Sequence, residues 1–470
     1  MFFIIHPIDE NFGEKHSFFI KALTENINCN VSFCAESRNY IPTTMNNLFT
    51  RSVNYIEESI DFENEVKQEI LDTLMLKYRK YRLNKVTLPF SGKNHFNDRS
   101  QYSLHKLGIY LKYFDDLINP ESFDAIIILP IFNSTNNSFV PLLSAVCDMK
   151  NIKYVVMSKP GLRLRIEEGN CLSSKKMNDI YLDKKVHGLS LIEKEKTRHA
   201  IKSYINFKKS TNFQDLIYKR RKPQKSMNYS LRHNTIKLVK LLYWKNLIHF
   251  IIKKAQTDKL GSYDKFDYKK NQFVIFLPNK QKNHRTSFIG SYYSNFISII
   301  RNIAISLPPT HWLVVKVHPH DAVRGGDKSI KDVCNSLPNV IYIDAEIDTF
   351  DVINYADIIF SIASVTGFEA LFLNKHVVVF GEEPYFFGKY KSPVTKLLNF
   401  EELPLIIDKC LSTNPDKKDI LAYIYSYYAS TTSHSLPMLE DDWSIYEIGR
   451  RHLEIQYNNA TGLLVDYLKD

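Results

Sequence analysis

The chain reads as an α/β protein built from two Rossmann-like halves joined by a basic segment. Three observations predict this. Strand-length apolar runs alternate with helix-length segments in two separate stretches, one on either side of residues 206–268. The strand runs are apolar without alternation, as expected of parallel strands covered by helices on both faces. At 470 residues the chain is too long for one ordinary core, so two domains are expected.

The first stretch opens with the strand run FFIIHP, followed by the helix-length pattern EKHSFFIKALTEN and a short strand, NVSFC. Residues 46–117 read as helix-rich. SFDAIIILP is a strong strand, NSFVPLLSAVCDMKN a helix and IKYVVMS a further strand. The second stretch carries the strands QFVIFLP, HWLVVKVHP, NVIYID, DIIFSIA and KHVVVFG. The helical segments SYYSNFISIIRNIAISL, SIKDVCNSL, DTFDVINYA and VTGFEALFL separate them. The expected division is 1–205, a linker at 206–268, a second domain at 269–418 and C-terminal helices at 419–470.

The composition is globular, with 44% apolar and 24% charged residues. No uncharged apolar run reaches the roughly 18 residues that a membrane span needs, and no secretory signal opens the sequence. The expectation is a cytoplasmic chain, soluble or peripheral at the inner face of the membrane. The net charge of +11 is unevenly spread: Lys208 to Lys254 holds 13 Lys or Arg against the single acid Asp215, a net of +12. Such a local excess does not suggest a general nucleic-acid surface. In TIKLVKLLYWKNLIHFIIKK apolar residues recur at helical spacing among lysines. Two readings stand: an interdomain helix packed on a core, or a basic amphipathic helix on an anionic membrane surface.

The six cysteines, at 29, 34, 147, 171, 334 and 410, form no Cys-x-x-Cys pair and no zinc spacing, and read as buried reduced thiols. No Asp-x-Asp, His-x-x-x-His or P-loop pattern occurs, so no metal and no cofactor is expected.

In open parallel sheets ligands sit at the carboxyl ends of the strands. Three polar features of the second half lie there: FLPNKQKNHRTSF, VKVHPHD and SIASVTGF. A fourth, LRLRIEEGNCLSS, lies just beyond a strand of the first half. Ser364, Thr366 and Gly367 open a helix. They serve either as plain capping groups or as a cradle for an anion, where Gly367 lets backbone approach closely. Glu369, placed in the first turn, either offsets the helix dipole or contacts a ligand. Lys316 lies on His318's face of its strand, as a cation for a phosphate or as a solvated charge. Glu167 and Glu168 read as a solvated acidic turn or as a cleft carboxylate for acid–base work. Arg163 and Arg165 beside them could hold a carboxylate or a phosphate.

These motifs carry a resemblance. SVTGFEALFLNKHVVVFGEEPYFFG resembles the C-terminal signature of the bacterial capsule polysaccharide synthesis family, which includes β-Kdo transferases. VVKVHPHD is similar to its His-Pro motif, and FLPNKQKNHRTSF to a polar loop of some members. RIEEGNCLSS resembles its Arg-x-Glu-Asp-Gly stretch, with Glu168 where Asp is usual; the same trio of motifs marks several bacterial sialyltransferase families. The sequence departs from the pattern at Asn170 and Cys171, where an aromatic residue and Arg are usual, and at FFGKY, which replaces Gly-Trp-Gly.

The resemblance implies a GT-B fold, two Rossmann-like domains facing a central cleft. It implies metal-independent transfer of an ulosonic acid, Kdo or a sialic-like nonulosonate, from a CMP donor to a glycan or glycolipid acceptor. It puts Ser364, Thr366, Gly367, Lys316 and His318 at the donor phosphate, Glu369 at the ribose, and Gln281 and Arg285 on a donor-contacting loop with His284, Thr286 and Ser287. Glu167, paired with Glu168, becomes the catalytic carboxylate. Two other classes remain open: a GT-B hydrolysing epimerase using a UDP-sugar, and a non-catalytic capsule assembly factor.

Overall fold

The computed structural model of the protein describes residues 2–6, 31–35, 53–55, 68–81, 102–119, 125–128, 139–158, 165–168, 175–209, 266–278, 293, 295–317, 328–343, 347–362, 364–380 and 393–431. The first half holds strands β1 (Phe2–His6), β2 (Val31–Ala35), β3 (Val53–Tyr55), β4 (Ala125–Ile128), β5 (Tyr154–Ser158) and β6 (Arg165–Glu168). They form one sheet in the order β3-β2-β1-β4-β5-β6. All neighbours are parallel except β5 and β6, which run antiparallel with Val156 opposite Glu167.

Helices α1 (Gln68–Lys77), α2 (Tyr102–Leu117) and α3 (Phe139–Lys150) accompany this sheet. Gly108 of α2 meets Leu71 of α1 so closely that an added Cβ would lie 3.0 Å from its side chain. A side chain at this position would require Leu71 to shift, so the glycine eases the approach of the two helices. Their seam is closed by Asp115, which accepts hydrogen bonds from Tyr78 Oη at 2.5 Å and Lys77 Nζ at 3.0 Å.

The second half repeats the design. Its strands are β7 (Phe273–Pro278), β8 (Trp312–Val315), β9 (Val340–Tyr342), β10 (Ile358–Ile362), β11 (His376–Phe380) and β12 (Thr395–Leu397). The order is β12-β11-β10-β7-β8-β9, and every pairing is parallel. Read in each half's own chain order, both sheets are 3-2-1-4-5-6, the Rossmann arrangement. Two such sheets in one chain give the GT-B type of α/β fold that the motifs implied. Every residue of β7 and β10 is buried, as strands covered on both faces require.

The covering helices have clear local causes. In α6 (Phe296–Ser306) the buried residues are Phe296, Ile299, Ile300, Ile303 and Ala304, one stripe at helical spacing, and Asn295 caps its start by accepting from Ser298 N–H. With α7 (Lys328–Ser336) and α10 (Leu403–Ser412) it covers one face. The other face is covered by α8 (Thr349–Tyr355), α9 (Val365–Leu371) and α11 (Lys417–Ala429).

Two further helices join that second face: α4 (Lys175–His187) and α5 (Leu191–Lys208). The sequence reading grouped them with the first sheet, ahead of a boundary at 205. Their buried Met177, Tyr181 and Tyr204 pack instead in the core of the second. Tyr181 stacks edge-on to Tyr423 of α11 at 5.0 Å and donates to Asp419 Oδ1 at 2.7 Å. Lys185 donates to the other oxygen at 2.8 Å. The turn between α4 and α5 is a capping box: Ser190 Oγ accepts from Glu193 N–H, and Glu193 Oε2 accepts from Ser190 N–H.

Three strands were not expected. β3 lies inside 46–117, and β6 and β12 lie in stretches without apolar runs. The acidic pair, read as a solvated turn or as a cleft carboxylate, thus lies in a strand, β6, that pairs on one side only among the described residues. The EKHSFFIKALTEN pattern, nearly all of the basic segment and the chain after 431 lie outside the described residues. Cys147, Cys334 and Cys410 are free and buried, and burial pushes the Cys334 thiol up to about 12. No helix among the described residues is long and apolar enough to cross a membrane.

The packing of α4 on α11 is open to test. Asp419→Ala removes the acceptor of the Tyr181 hydroxyl, so it should cost about 1–3 kcal/mol in urea unfolding, the penalty of an unsatisfied buried donor. Tyr181→Phe, which leaves Asp419 with Lys185, should cost less. An unchanged midpoint in Asp419→Ala would show that this contact does not hold α4 to the second sheet.

Candidate functional site

The order of the second sheet places its switch point between β7 and β10. The helix after β7 covers one face, with Phe296, Ile299 and Ile303 in one core cluster. The helix after β10 covers the other, with Phe368 and Leu371 in a second. The two connections therefore diverge from neighbouring strand ends, which is how a ligand crevice forms in a doubly wound sheet. The register is close: Ser361 stands opposite Leu277 and Ile362 opposite Pro278.

Ser364 caps α9. It is buried, and its Oγ accepts from Thr366 N–H at 3.2 Å. The same oxygen donates to Thr366 Oγ1 at 3.0 Å. Gly367, also buried, donates its N–H to the Ser364 carbonyl at 3.3 Å. The capping reading therefore holds for Ser364. The arrangement also sorts the two hydroxyls: Ser364 spends its proton on Thr366, which leaves the Thr366 O–H to point its own proton elsewhere.

Glu369 stands in the second turn of α9, not the first, so the first turn of the helix carries no acid of its own to offset its dipole. It is 5% exposed and accepts a 2.5 Å hydrogen bond from Tyr204 Oη of α5. Burial, then the adjacent Glu369 charge, raises the Tyr204 pKa well above its ordinary value and keeps it a proton donor. One carboxylate oxygen of Glu369 is thus committed inside the helix layer. Tyr204 also packs edge-on against Phe372 at 5.3 Å.

Lys316 is 5% exposed, which removes the reading of a solvated charge. Its N–H donates to the Phe276 carbonyl, extending the ladder one residue past β8. Ile359 and Val314 share one core cluster; two residues on, Ser361 and Lys316 lie on that same face at the carboxyl edge. β7 alone separates their strands, a spacing of about 10 Å. Ser361 Oγ is buried and has no hydrogen-bond partner among the described residues. That is an orphan polar atom on the central strand beside the switch point, a feature that merits a ligand or water.

Of the remaining expected residues, Arg165, Glu167 and Glu168 lie in β6 of the first sheet, with Ser158 opposite Arg165 and Val155 opposite Glu168. Arg163, Gln281, Arg285 and His318 lie outside the described residues. The structure thus gathers Ser364, Thr366, Gly367 and Lys316 along one sheet edge. Sequence reasoning missed Tyr204 and Ser361. Ser361 left a signal, as the lone polar residue of IIFSI, whereas nothing local marks Tyr204 as the partner of a residue 165 positions away. Among the described residues no group of three or more His, Cys, Asp or Glu could hold a metal ion.

Comparison with known proteins adds the following. Residues 177–388 match the family described as capsule polysaccharide biosynthesis protein. Over this span the chain is similar to that family, the one its motifs pointed to. The span begins in α4, takes in β7 to β11, and contains every candidate residue of the second half. No curated protein sequence matches. Among solved structures, the KpsC β-Kdo 2,7 transferase of Thermosulfurimonas dismutans is 13% identical, with 74% of this chain and 86% of that one covered and a TM-score of 0.33. A glycosyltransferase from Rickettsia africae is 11% identical, with 98% of both chains covered and a TM-score of 0.31. Anabaena HepE in complex with UDP-glucose is 10% identical, with 99% and 100% covered and a TM-score of 0.29.

The Tyr204–Glu369 bond should be measurable as stability. Tyr204→Phe should lose about 1–3 kcal/mol in urea unfolding, because a buried carboxylate is left short of a donor. Adding Glu369→Gln should recover part of that loss, since a neutral amide is cheaper to leave unpaired than a charge. Strictly additive losses would mean that the two side chains do not act as a pair.

Proposed function

We propose that this chain is a capsule-type glycosyltransferase that moves an ulosonic acid from a CMP donor to a glycan or glycolipid acceptor. The observation that carries the reading is the family match over 177–388, which takes in β7 to β11 of the second sheet and its switch point. Kdo and sialic-like nonulosonates are the donor sugars this reading takes in.

In this reading the donor phosphate lies outside the ends of β7 and β10. Thr366 donates its hydroxyl proton to a phosphate oxygen, Gly367 gives room for close approach, and Ser364 holds Thr366 in place. Lys316 supplies positive charge from the next strand but one, and its burial strengthens the attraction. His318, two residues on, stabilises the departing cytidylate. Gln281 and Arg285 complete the donor contacts from the loop after β7, and Glu369 serves the ribose. The first sheet contributes the carboxylate: Glu167, with Glu168 beside it, takes the proton of the acceptor hydroxyl if the reaction inverts, or attacks the anomeric carbon if it retains. Arg163 and Arg165 hold the carboxylate of the sugar. No step draws on a metal or a cofactor. The acceptor is reached from the cytoplasmic face of the membrane, with residues 206–268 as the basic surface that meets anionic lipid.

The reading is tested by titrating CMP and UDP against the protein and assaying a panel of CMP-sugars for transfer and hydrolysis. CMP should bind and UDP should not. UDP binding alone would move the protein to the UDP-sugar enzymes, and absence of turnover with every donor would make it an assembly factor.

The two hydroxyls should separate. Thr366→Val should weaken CMP binding by about 1–2 kcal/mol, the scale of a lost hydrogen bond to a charged group. Ser364→Ala should do the same and lower the melting temperature as well, because the cap goes with it. Melting-temperature losses with unchanged CMP affinity in both would return this stretch to plain capping.

The carboxylate and the histidine should separate too. Glu167→Gln should leave CMP affinity near wild type and cut turnover by about 100-fold or more, the usual worth of a general base. His318→Ala should weaken both CMP binding and turnover. An active Glu167→Gln beside a dead Glu168→Gln would transfer the role to the neighbour.

A further inference from the structure

The helix layer carries a second concave feature, well away from the strand ends discussed above. A groove of about 370 Å³ opens between α5, the end of α9 and the start of α11. In a parallel sheet the helix after a strand runs back, so the end of α9 lies at the amino edge, where β11 begins. Asn374 makes the turn there with φ of 53°, and Lys375 N–H returns to the Ala370 carbonyl at 3.2 Å. The groove is thus at the opposite edge from Ser364 and Lys316.

Its floor is apolar, formed by Ile201, Ile205, Leu371, Phe372, Ile420 and Ile424. Its charged lining residues are Arg198, Lys202 and Lys417, and no acid lines it. Among the described residues none of these three cations forms an ion pair. The two acids beside Lys417 in sequence are engaged elsewhere: Asp416 accepts from Lys418 and Asp419 N–H, and Asp419 holds Tyr181 and Lys185. Unpaired charge of one sign around an apolar floor suits a ligand with an anionic head and a hydrocarbon body.

The surroundings favour a lipid still in its bilayer. Leu191, 78% exposed, begins α5 on the same helical face as Arg198 and Lys202. Val186 and Ile192 beside it are 77% and 65% exposed. An exposed apolar tip continued by cations is the pattern of a surface that meets anionic headgroups and dips into the acyl boundary.

We propose that this groove binds an anionic membrane phospholipid, headgroup on Arg198, Lys202 and Lys417 and chain on the apolar floor. The inference does not rest on the donor reading, because it uses none of the same residues. The test is calorimetric titration of the intact protein with three probes: dihexanoyl phosphatidylglycerol, dihexanoyl phosphatidylcholine and inorganic phosphate. Only the first should bind saturably. Arg198→Gln/Lys202→Gln/Lys417→Gln should bind it about ten-fold more weakly or worse, the scale of lost charge-assisted contacts, with an unchanged melting temperature. Co-sedimentation with phosphatidylglycerol vesicles should fall in the same variant. Equal affinity in the variant, equal binding of the neutral lipid, or inorganic phosphate binding as tightly as the lipid would each overturn the proposal.

Discussion

The second half of the molecule depends on the pairing of β10 with β7. Ile359 to Ile362 lie against Ile275 to Pro278, and all of these residues are buried, most of them in the two apolar cores that flank the sheet. This register is strongly specified, since a one-residue slip would exchange the two buried faces of each strand. It also sets the site. With Ile362 held opposite Pro278, the chain leaves both strands at the same height, and Ser364 caps its helix directly above that point. The polar residues that follow inherit their position from apolar ones.

Much of this was legible in the sequence, because it follows from local pattern. The buried runs FVIFLP, IIFSI and HVVVF announce strands covered on both faces, and they are. NFISIIRNIAIS announces an amphipathic helix with its cap, and Asn295 performs it. The hydroxyl pair ahead of Gly367 announces a helix start, and Ser364 provides it. The motifs in the same stretches carried the family resemblance, and the family match covers the same region.

What escaped is non-local or short. β3, β6 and β12 have three or four residues each and no apolar run in the sequence; each pairs with a single neighbour among the described residues. The assignment of α4 and α5 to the second sheet is likewise a tertiary fact. Nothing in KKMNDIYLDKKVH says which core Tyr181 will enter, and its partner Asp419 is 238 residues away. The placement of Glu369 failed on a smaller point: the helix starts at Val365, and a position four residues in belongs to the second turn.

That small shift has a large physical consequence. A carboxylate in the first turn would sit near solvent and the positive end of the helix. One turn further, Glu369 enters a layer where its neighbours are Phe368, Ala370, Leu371 and Phe372, all buried, and an unpaired charge there would be costly. Tyr204 answers that cost with a donor whose own proton is held firmly by burial. The bond joins α5, which follows the first sheet in the chain, to α9, which leaves the switch-point strand of the second. The polar pair therefore ties the connecting helices to the helix that opens at the proposed donor site, and the apolar contact of Tyr204 with Phe372 holds the same junction from its other side.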